Sequence, residues 1–273
     1  MPGRHNVKLQ GKQVEKPWGR VEIPGAFGPP HGKRIGEIWF DDAATGPLPL
    51  LVKYIFTSER LSIQVHPDDR QAQQRGLPHG GSECWYVVAA EPGATIGLGL
   101  REPVSRGELR SAALTGSIEA LMDWKPVVSG DFFFVPPGTI HAIGADVTIV
   151  EVQRNADITY RLYDYGRPRE LHLDLALSVA DPGPYPEHYA LRADTSSEGV
   201  LLDGPHFSVV QATSASGVAS TLSKRVRWVV PIQGMTGSGR EQAGPGECLL
   251  LKEGEPLEQS DGAVFLIAVA GHI

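Results

Sequence analysis

Apolar and polar positions alternate along much of this chain, and the alternation has a period of two. The clearest case is Leu61 to His66, where Leu61, Ile63 and Val65 fall on one face of an extended segment and Ser62, Gln64 and His66 on the other. Shorter β-type runs lie at 35–40, 84–90, 130–135, 145–154 and 159–163, and Pro49 to Phe56 reads as a fully buried strand. Within that strand Lys53 is anomalous, because an ammonium in an apolar strand must reach solvent, a partner or a ligand.

Helical signals are few. Residues 68–77 predict a short helix capped by Asp68 or Asp69, the region 103–123 predicts two helices with Ser105 and Glu108 at capping-box spacing, and 172–179 predicts another. The run Asp181-Pro-Gly-Pro-Tyr-Pro186 breaks the pattern hardest and is the expected domain boundary. Beyond it a smaller β pattern recurs at 207–212, 226–232, 247–251 and 264–269. Gly246 to Leu251 echoes Gly130 to Val135, but no histidine follows at the matching distance. The expectation is therefore a mainly β protein with two units, 15–180 carrying the chemistry and 187–273 smaller and metal-free, while residues 1–16 read as a polar leader or edge strand.

Composition narrows the function classes. With 32 acidic against 25 basic residues the 273-residue chain carries a net charge of −7 and no block of like charge, which argues against nucleic acid and anionic membranes as partners. The 32 glycines and 22 prolines suit many short strands joined by turns. The longest apolar runs are too short to span a bilayer, and the first residues contain no signal-peptide core, so cytoplasm is the expected location. Cys84 and Cys248 do not amount to a disulfide framework and are expected to be reduced and buried.

Metal-competent side chains cluster on the β runs. Gln64 and His66 project from one strand, Glu83 follows a turn, and His141 ends a strand–turn built on Pro136 and Gly138. Two imidazoles, a carboxylate and an amide oxygen, with no thiolate, suit a mononuclear centre for zinc, iron, manganese, cobalt or nickel. Residues 130–141 match Gly-x5-Pro-x-Gly-x2-His at every fixed position, which resembles the second motif of the cupin superfamily; that resemblance implies a cupin or jelly-roll β-barrel with the metal in its mouth.

A more specific resemblance rests on Pro49 to Lys53, Leu61 to Asp69, Glu83 to Tyr86, Gly130 to Gly144 and Glu151 to Tyr165. These stretches resemble the type I mannose-6-phosphate isomerases of the compact bacterial kind. The resemblance implies metal-dependent aldose–ketose isomerisation of a sugar phosphate, with zinc the foremost metal. It places metal ligands at Gln64, His66, Glu83 and His141, the active-site arginine at Arg161, and other pocket residues at Trp18, Glu37, Lys53, Ser62, Glu151 and Asp157. Within that reaction Glu151 and Asp157 are the carboxylates available for proton transfer, and Lys53, Arg161 and Arg167 are the candidates to meet phosphate. Trp18 and Trp85 are read either as pocket walls or as core. One position departs from the family's pattern: where the family has a lysine two residues before the metal-binding glutamate, this chain has Gly81, with His79 the nearest substitute. Two alternatives follow, a non-haem-iron cupin oxygenase and a catalytically impaired cupin that binds a sugar phosphate without turning it over.

Overall fold

The computed structural model describes residues 7–29, 32–41, 47–156 and 158–273. The call on Asp157 lies outside the described residues. In chain order the first part forms β1 (Val7–Lys8), β2 (Gln10–Arg20), β3 (Ile35–Asp41), β4 (Leu50–Phe56), β5 (Ile63–Val65), α1 (Asp69–Gln73), β6 (Glu83–Ala90) and β7 (Thr95–Leu100). It continues with α2 (Arg106–Thr115), α3 (Ile118–Leu121), β8 (Met122–Pro126), β9 (Asp131–Val135), β10 (His141–Ile143), β11 (Val147–Arg154), β12 (Tyr160–Tyr163), α4 (Leu173–Val179) and β13 (Ala190–Arg192).

Among the described residues these strands make a seven-stranded sheet, β13-β9-β6-β11-β4-β3-β2, and a five-stranded sheet, β12-β5-β10-β7-β8. The two face each other across one apolar core in which Ile55, Trp85, Val87, Phe133 and Ile149 of the larger sheet meet Ile96, Leu98 and Ile143 of the smaller. The outer face of the smaller sheet, with Ile63, Val65 and Leu162, is covered by Leu109, Ala112, Ile118 and Leu177 of the helices. The outer face of the larger sheet is covered too. Val52, Tyr54, Phe56, Tyr86, Phe132 and Val152 pack against Phe207, Val209, Trp228, Leu250 and Leu266 of the C-terminal unit. That is why β4 reads as an unbroken apolar run: both of its faces are buried.

The helices form where the capping residues place them. Asp68 accepts from Gln71 N–H and the Gln71 side chain accepts from Asp68 N–H, closing a capping box on α1. Ser105 and Glu108 do the same for α2, and Gly116 ends that helix at φ 80°, a conformation an L side chain rarely adopts. The second predicted helix is one short turn, since Met122 already begins β8.

The two units are tied together across the expected boundary. The Asp181–Pro186 break does not end the first sheet, because β13 pairs with β9, Ala190 opposite Phe133. The described N-terminal residues take the edge-strand reading: β1 is the edge strand of the C-terminal six-stranded sheet, Val7 opposite Leu250, while β2 closes the edge of the first sheet. The two units share a core and buried polar ties. Tyr54 Oη donates to Pro231 O at 3.4 Å and accepts from Gly246 N–H at 3.2 Å, and Tyr86 Oη donates to Gln211 Oε1 at 3.3 Å. Cys84 and Cys248 are free thiols within that shared core.

Tyr54→Phe is expected to strip a buried partner from Gly246 N–H and lower unfolding free energy by about 1–3 kcal/mol, measured by urea denaturation followed by tryptophan fluorescence.

Candidate metal centre

Period-two alternation decides what points between the two sheets. On β5 the aliphatics Ile63 and Val65 face the helices, so Ser62, Gln64 and His66 face inward. Register then brings partners alongside: Gln64 lies opposite His141 of β10 on one side and opposite Arg161 of β12 on the other. On the facing sheet the outward set Cys84, Tyr86, Val150 and Val152 leaves Glu83, Trp85, Glu151 and Gln153 pointing inward. Lys53 is opposite Glu151, which is opposite Trp85, and Glu83 is opposite Gln153.

His66, Glu83 and His141 converge, all buried, with ligand atoms within 4.8 Å of one another. Glu83 Oε2 is 3.3 Å from His66 Nε2, and Glu83 Oε1 is 3.4 Å from His141 Nε2. The other ring nitrogens are already engaged: His66 Nδ1 lies 2.6 Å from Ile158 O and His141 Nδ1 lies 2.9 Å from Thr139 O. A carbonyl can only accept, so both Nδ1 atoms carry protons, and each neutral ring presents its Nε2 lone pair to the Glu83 carboxylate. Lone pairs on all three groups then face one another, and His66 Nε2 and Glu83 Oε1 are buried without a hydrogen-bond partner. A cation resolves this, and backbone carbonyls that orient the distal ring nitrogens are what metal-ligating histidines use. The donor set fits a divalent metal. Gln64 adjoins it, its side-chain nitrogen 3.2 Å from His141 Nε2 and its oxygen accepting from Ser62 Oγ at 3.0 Å. A half-turn of that amide exchanges oxygen for nitrogen and turns an acceptor toward the centre, with Ser62 Oγ able to accept in turn.

Electrostatics follow from burial. Burial alone would raise the Glu83 carboxyl, but His66, His141 and Lys53 outweigh it and hold it near 2. Burial pulls His141 down to about 4, whereas the Glu83 charge more than offsets burial at His66 and raises it. Protons therefore compete with metal for His66 as pH falls.

Next to the centre Lys53 Nζ donates to Glu151 Oε1 at 2.9 Å and to Gln153 Oε1 at 2.6 Å, and Trp85 Nε1 donates to Glu151 Oε2 at 3.0 Å. Burial would lower the Lys53 ammonium, yet Glu151 and Glu37 hold it above its usual value. Burial raises Glu151, only partly countered by Lys53 and reinforced by Glu83. Glu37, paired with Lys16 at 3.0 Å, is lowered because Lys53 and Lys16 overcome its burial.

One cavity is lined by Trp18, Glu37, Lys53, Ser62, Gln64, His66, Glu83, His141, Glu151 and Arg161 together. Trp18 and Trp85 belong to both cavity wall and core. Arg167 is not among its lining residues; its guanidinium pairs with Glu59 at 3.0 Å and Asp164 at 3.1 Å. His79 does not line it either. The cavity adds Lys16, Trp39, Gln153, Thr159 and Arg169, which the sequence reading passed over. Two of these had a signal, since Trp39 follows Glu37 and Gln153 follows Glu151 at the spacing that puts both on one face.

The structure explains Gly81. A Cβ there would lie 2.7 Å from His66 Cβ and 2.8 Å from His66 Cγ, closer than carbon atoms approach. The loop is clamped in that position, Gly81 N–H donating to Pro67 O at 3.1 Å and Gly80 N–H to Asp69 Oδ1 at 2.9 Å. Glycine here is a packing requirement of the His66 ring.

Fold and centre together define a cupin whose buried histidine–glutamate triad is fit for a divalent metal. No family model matches the sequence. The chain is 36% identical over 243 residues to the mannose-6-phosphate isomerase of Streptococcus mutans, covering 84% of this chain and 76% of that protein. It is 32% identical over 229 residues to mannose-6-phosphate isomerase ManA of Bacillus subtilis, covering 78% and 71%. The crystal structure of a Bacillus subtilis mannose 6-phosphate isomerase superposes with a TM-score of 0.73 at 24% identity, over 99% of this chain and all of that one. A putative mannosephosphate isomerase from Archaeoglobus fulgidus gives 0.76 at 17% identity, over 98% of this chain. The chain belongs to the mannose-6-phosphate isomerase family. Among the described residues no helix is long and apolar enough to cross a membrane.

Glu83→Gln is expected to lower bound divalent metal by at least about tenfold, read by elemental analysis after dialysis. Gly81→Lys, which restores the family's residue type, is expected to displace His66 and lower metal content as well; wild-type metal content with higher turnover would contradict this steric account.

Proposed function

We propose that the chain interconverts mannose 6-phosphate and fructose 6-phosphate through an enediolate, using zinc held by Gln64, His66, Glu83 and His141. The observation that carries this reading is the pair of imidazoles whose Nδ1 atoms are tied to Ile158 O and Thr139 O while both Nε2 atoms face Glu83. The isomerases among its relatives favour it over the oxygenase alternative. Zinc suits two imidazoles and a carboxylate with positions left open, and a mannose 6-phosphate isomerase of the same fold has been solved bound with zinc and yttrium. Bound there, the metal supplies a Lewis acid for a sugar carbonyl and its developing negative charge.

The chain's own groups do the rest. Glu151 takes the proton from C2 of the aldose and returns it to C1 of the ketose, while the O2 hydroxyl proton passes to O1, so that atoms balance. Its raised proton affinity brings this carboxylate closer to neutrality, as a general base requires, and Trp85 and Lys53 hold its two oxygens in one orientation. Arg161, charged at every working pH, lines the cavity one strand from Gln64 and stabilises the enediolate oxygens. Trp18 walls the cavity against water.

Metal-loaded protein is expected to convert mannose 6-phosphate to fructose 6-phosphate in a coupled assay. Glu151→Gln should lower kcat by roughly 10²–10⁴-fold with its metal retained. Absence of conversion across aldose phosphates would reject the reading, and tight sugar-phosphate binding without turnover would point instead to the non-catalytic alternative.

A further inference from the structure

The two ends of the cavity differ in charge. At one end Lys16 and Lys53 face Glu37 and Glu151, with Lys16 Nζ 3.0 Å from Glu37 and Lys53 Nζ 2.9 Å from Glu151. Two ammonium groups meet two carboxylates, so that end is balanced. At the Arg161 end a chain of ion pairs runs inward from the surface: Arg34 to Glu59 at 2.8 Å, Glu59 to Arg167 at 3.0 Å, Arg167 to Asp164 at 3.1 Å and Asp164 to Arg169 at 2.6 Å. Three guanidinium groups alternate with two carboxylates, which leaves a positive charge over. The member of this chain that lines the cavity is Arg169.

Local geometry sets which arginine faces inward. Tyr165 and Gly166 follow β12 with φ of 54° and 75°, a left-handed turn that reverses the chain. The segment after it is stitched back to β12, since His172 N–H donates to Arg161 O at 2.9 Å and Arg161 N–H to His172 Nδ1 at 3.3 Å. Arg169 lines the same cavity as Arg161, and Asp164, only 2% exposed, grips it at two points, from Nε at 2.6 Å and Nη2 at 2.7 Å. Those two bonds do not use Nη1.

We infer that Arg169 holds the phosphate group of the substrate, leaving Arg161 to the reacting carbons, and that Arg167 does not touch it. The inference rests on the sugar-phosphate isomerase reading. A phosphate dianion at the rim meets the surplus positive charge there, and a guanidinium pre-oriented by a buried carboxylate loses little freedom on binding it. Arg169 lines the same cavity as His66, Glu83 and His141, so one bound sugar phosphate can reach both.

The test is steady-state kinetics. Arg169→Ala should raise KM for mannose 6-phosphate roughly tenfold to a hundredfold with kcat little changed, and weaken competitive inhibition by inorganic phosphate to the same degree. Arg169→Lys keeps the charge without the fork and should fall between, and it supplies the same readout should the alanine variant fail to fold. Arg167→Ala, which removes a guanidinium that does not line the cavity and leaves both Asp164 bonds to Arg169 in place, should change KM by less than about threefold. Unchanged KM in Arg169→Ala, a loss confined to kcat, or a larger KM effect in Arg167→Ala would each overturn the inference. If the wild type does not turn over mannose 6-phosphate, the isomerase reading fails; calorimetric titration of wild type and Arg169→Ala with inorganic phosphate still decides the anchor, equal affinities overturning it and weaker binding by the variant upholding it.

Discussion

Everything in the first unit depends on the seven-stranded sheet being covered on both faces. A sheet with one wet face can place polar residues outward and leave them to water. Here the outward face packs on the C-terminal unit and the inward face on the smaller sheet, so polar side chains on its central strands must satisfy one another. Lys53, Glu151, Gln153 and Trp85 do so in one connected set, and Glu83 faces the Nε2 atoms of two histidines across the gap, an arrangement that a cation completes. Removing one member leaves a charge buried without a partner, which is the costly direction for such pairs.

The same constraint gives the centre its chemistry. Two backbone carbonyls, from Ile158 and Thr139, choose the tautomers of His66 and His141 before any ligand arrives. The same cavity is lined both by the histidine–glutamate triad, suited to a cation, and by Arg161 and Arg169, suited to an anion. A substrate carrying its charge at the end remote from its reacting carbons matches that polarity in a single orientation.

Much of this was legible in the sequence, and the limits are physical. Alternation survives even where a strand is short: β5 has three residues, yet Ser62, Gln64 and His66 share the inward face as the pattern requires. The 103–123 excursion was visible through its capping residues. The strand Thr95–Leu100 was not, because Gly97 and Gly99 interrupt its pattern, nor was β8, with its polar residues and proline. Arg167 was the residue read toward phosphate and Arg169 was passed over, because the left-handed turn at Tyr165 and Gly166, after which Arg169 and not Arg167 lines the cavity, leaves no periodic signal. Gly81 reads as a missing lysine until its contact with the His66 ring, far away in sequence terms across the α1 loop, supplies a steric cause.

The pairing of β1 with Leu249–Leu251 bears on how this chain folds. Val7 and Lys8 pair with Leu250 and Leu249, far away along the chain, so β1 finds its partner only through a very long-range contact. The edge it leaves waiting belongs to the sheet whose core seals the outer face of the first unit. Completion of both units is thus tied to one pairing across nearly the whole described chain, a topology of long-range contacts that folds slowly.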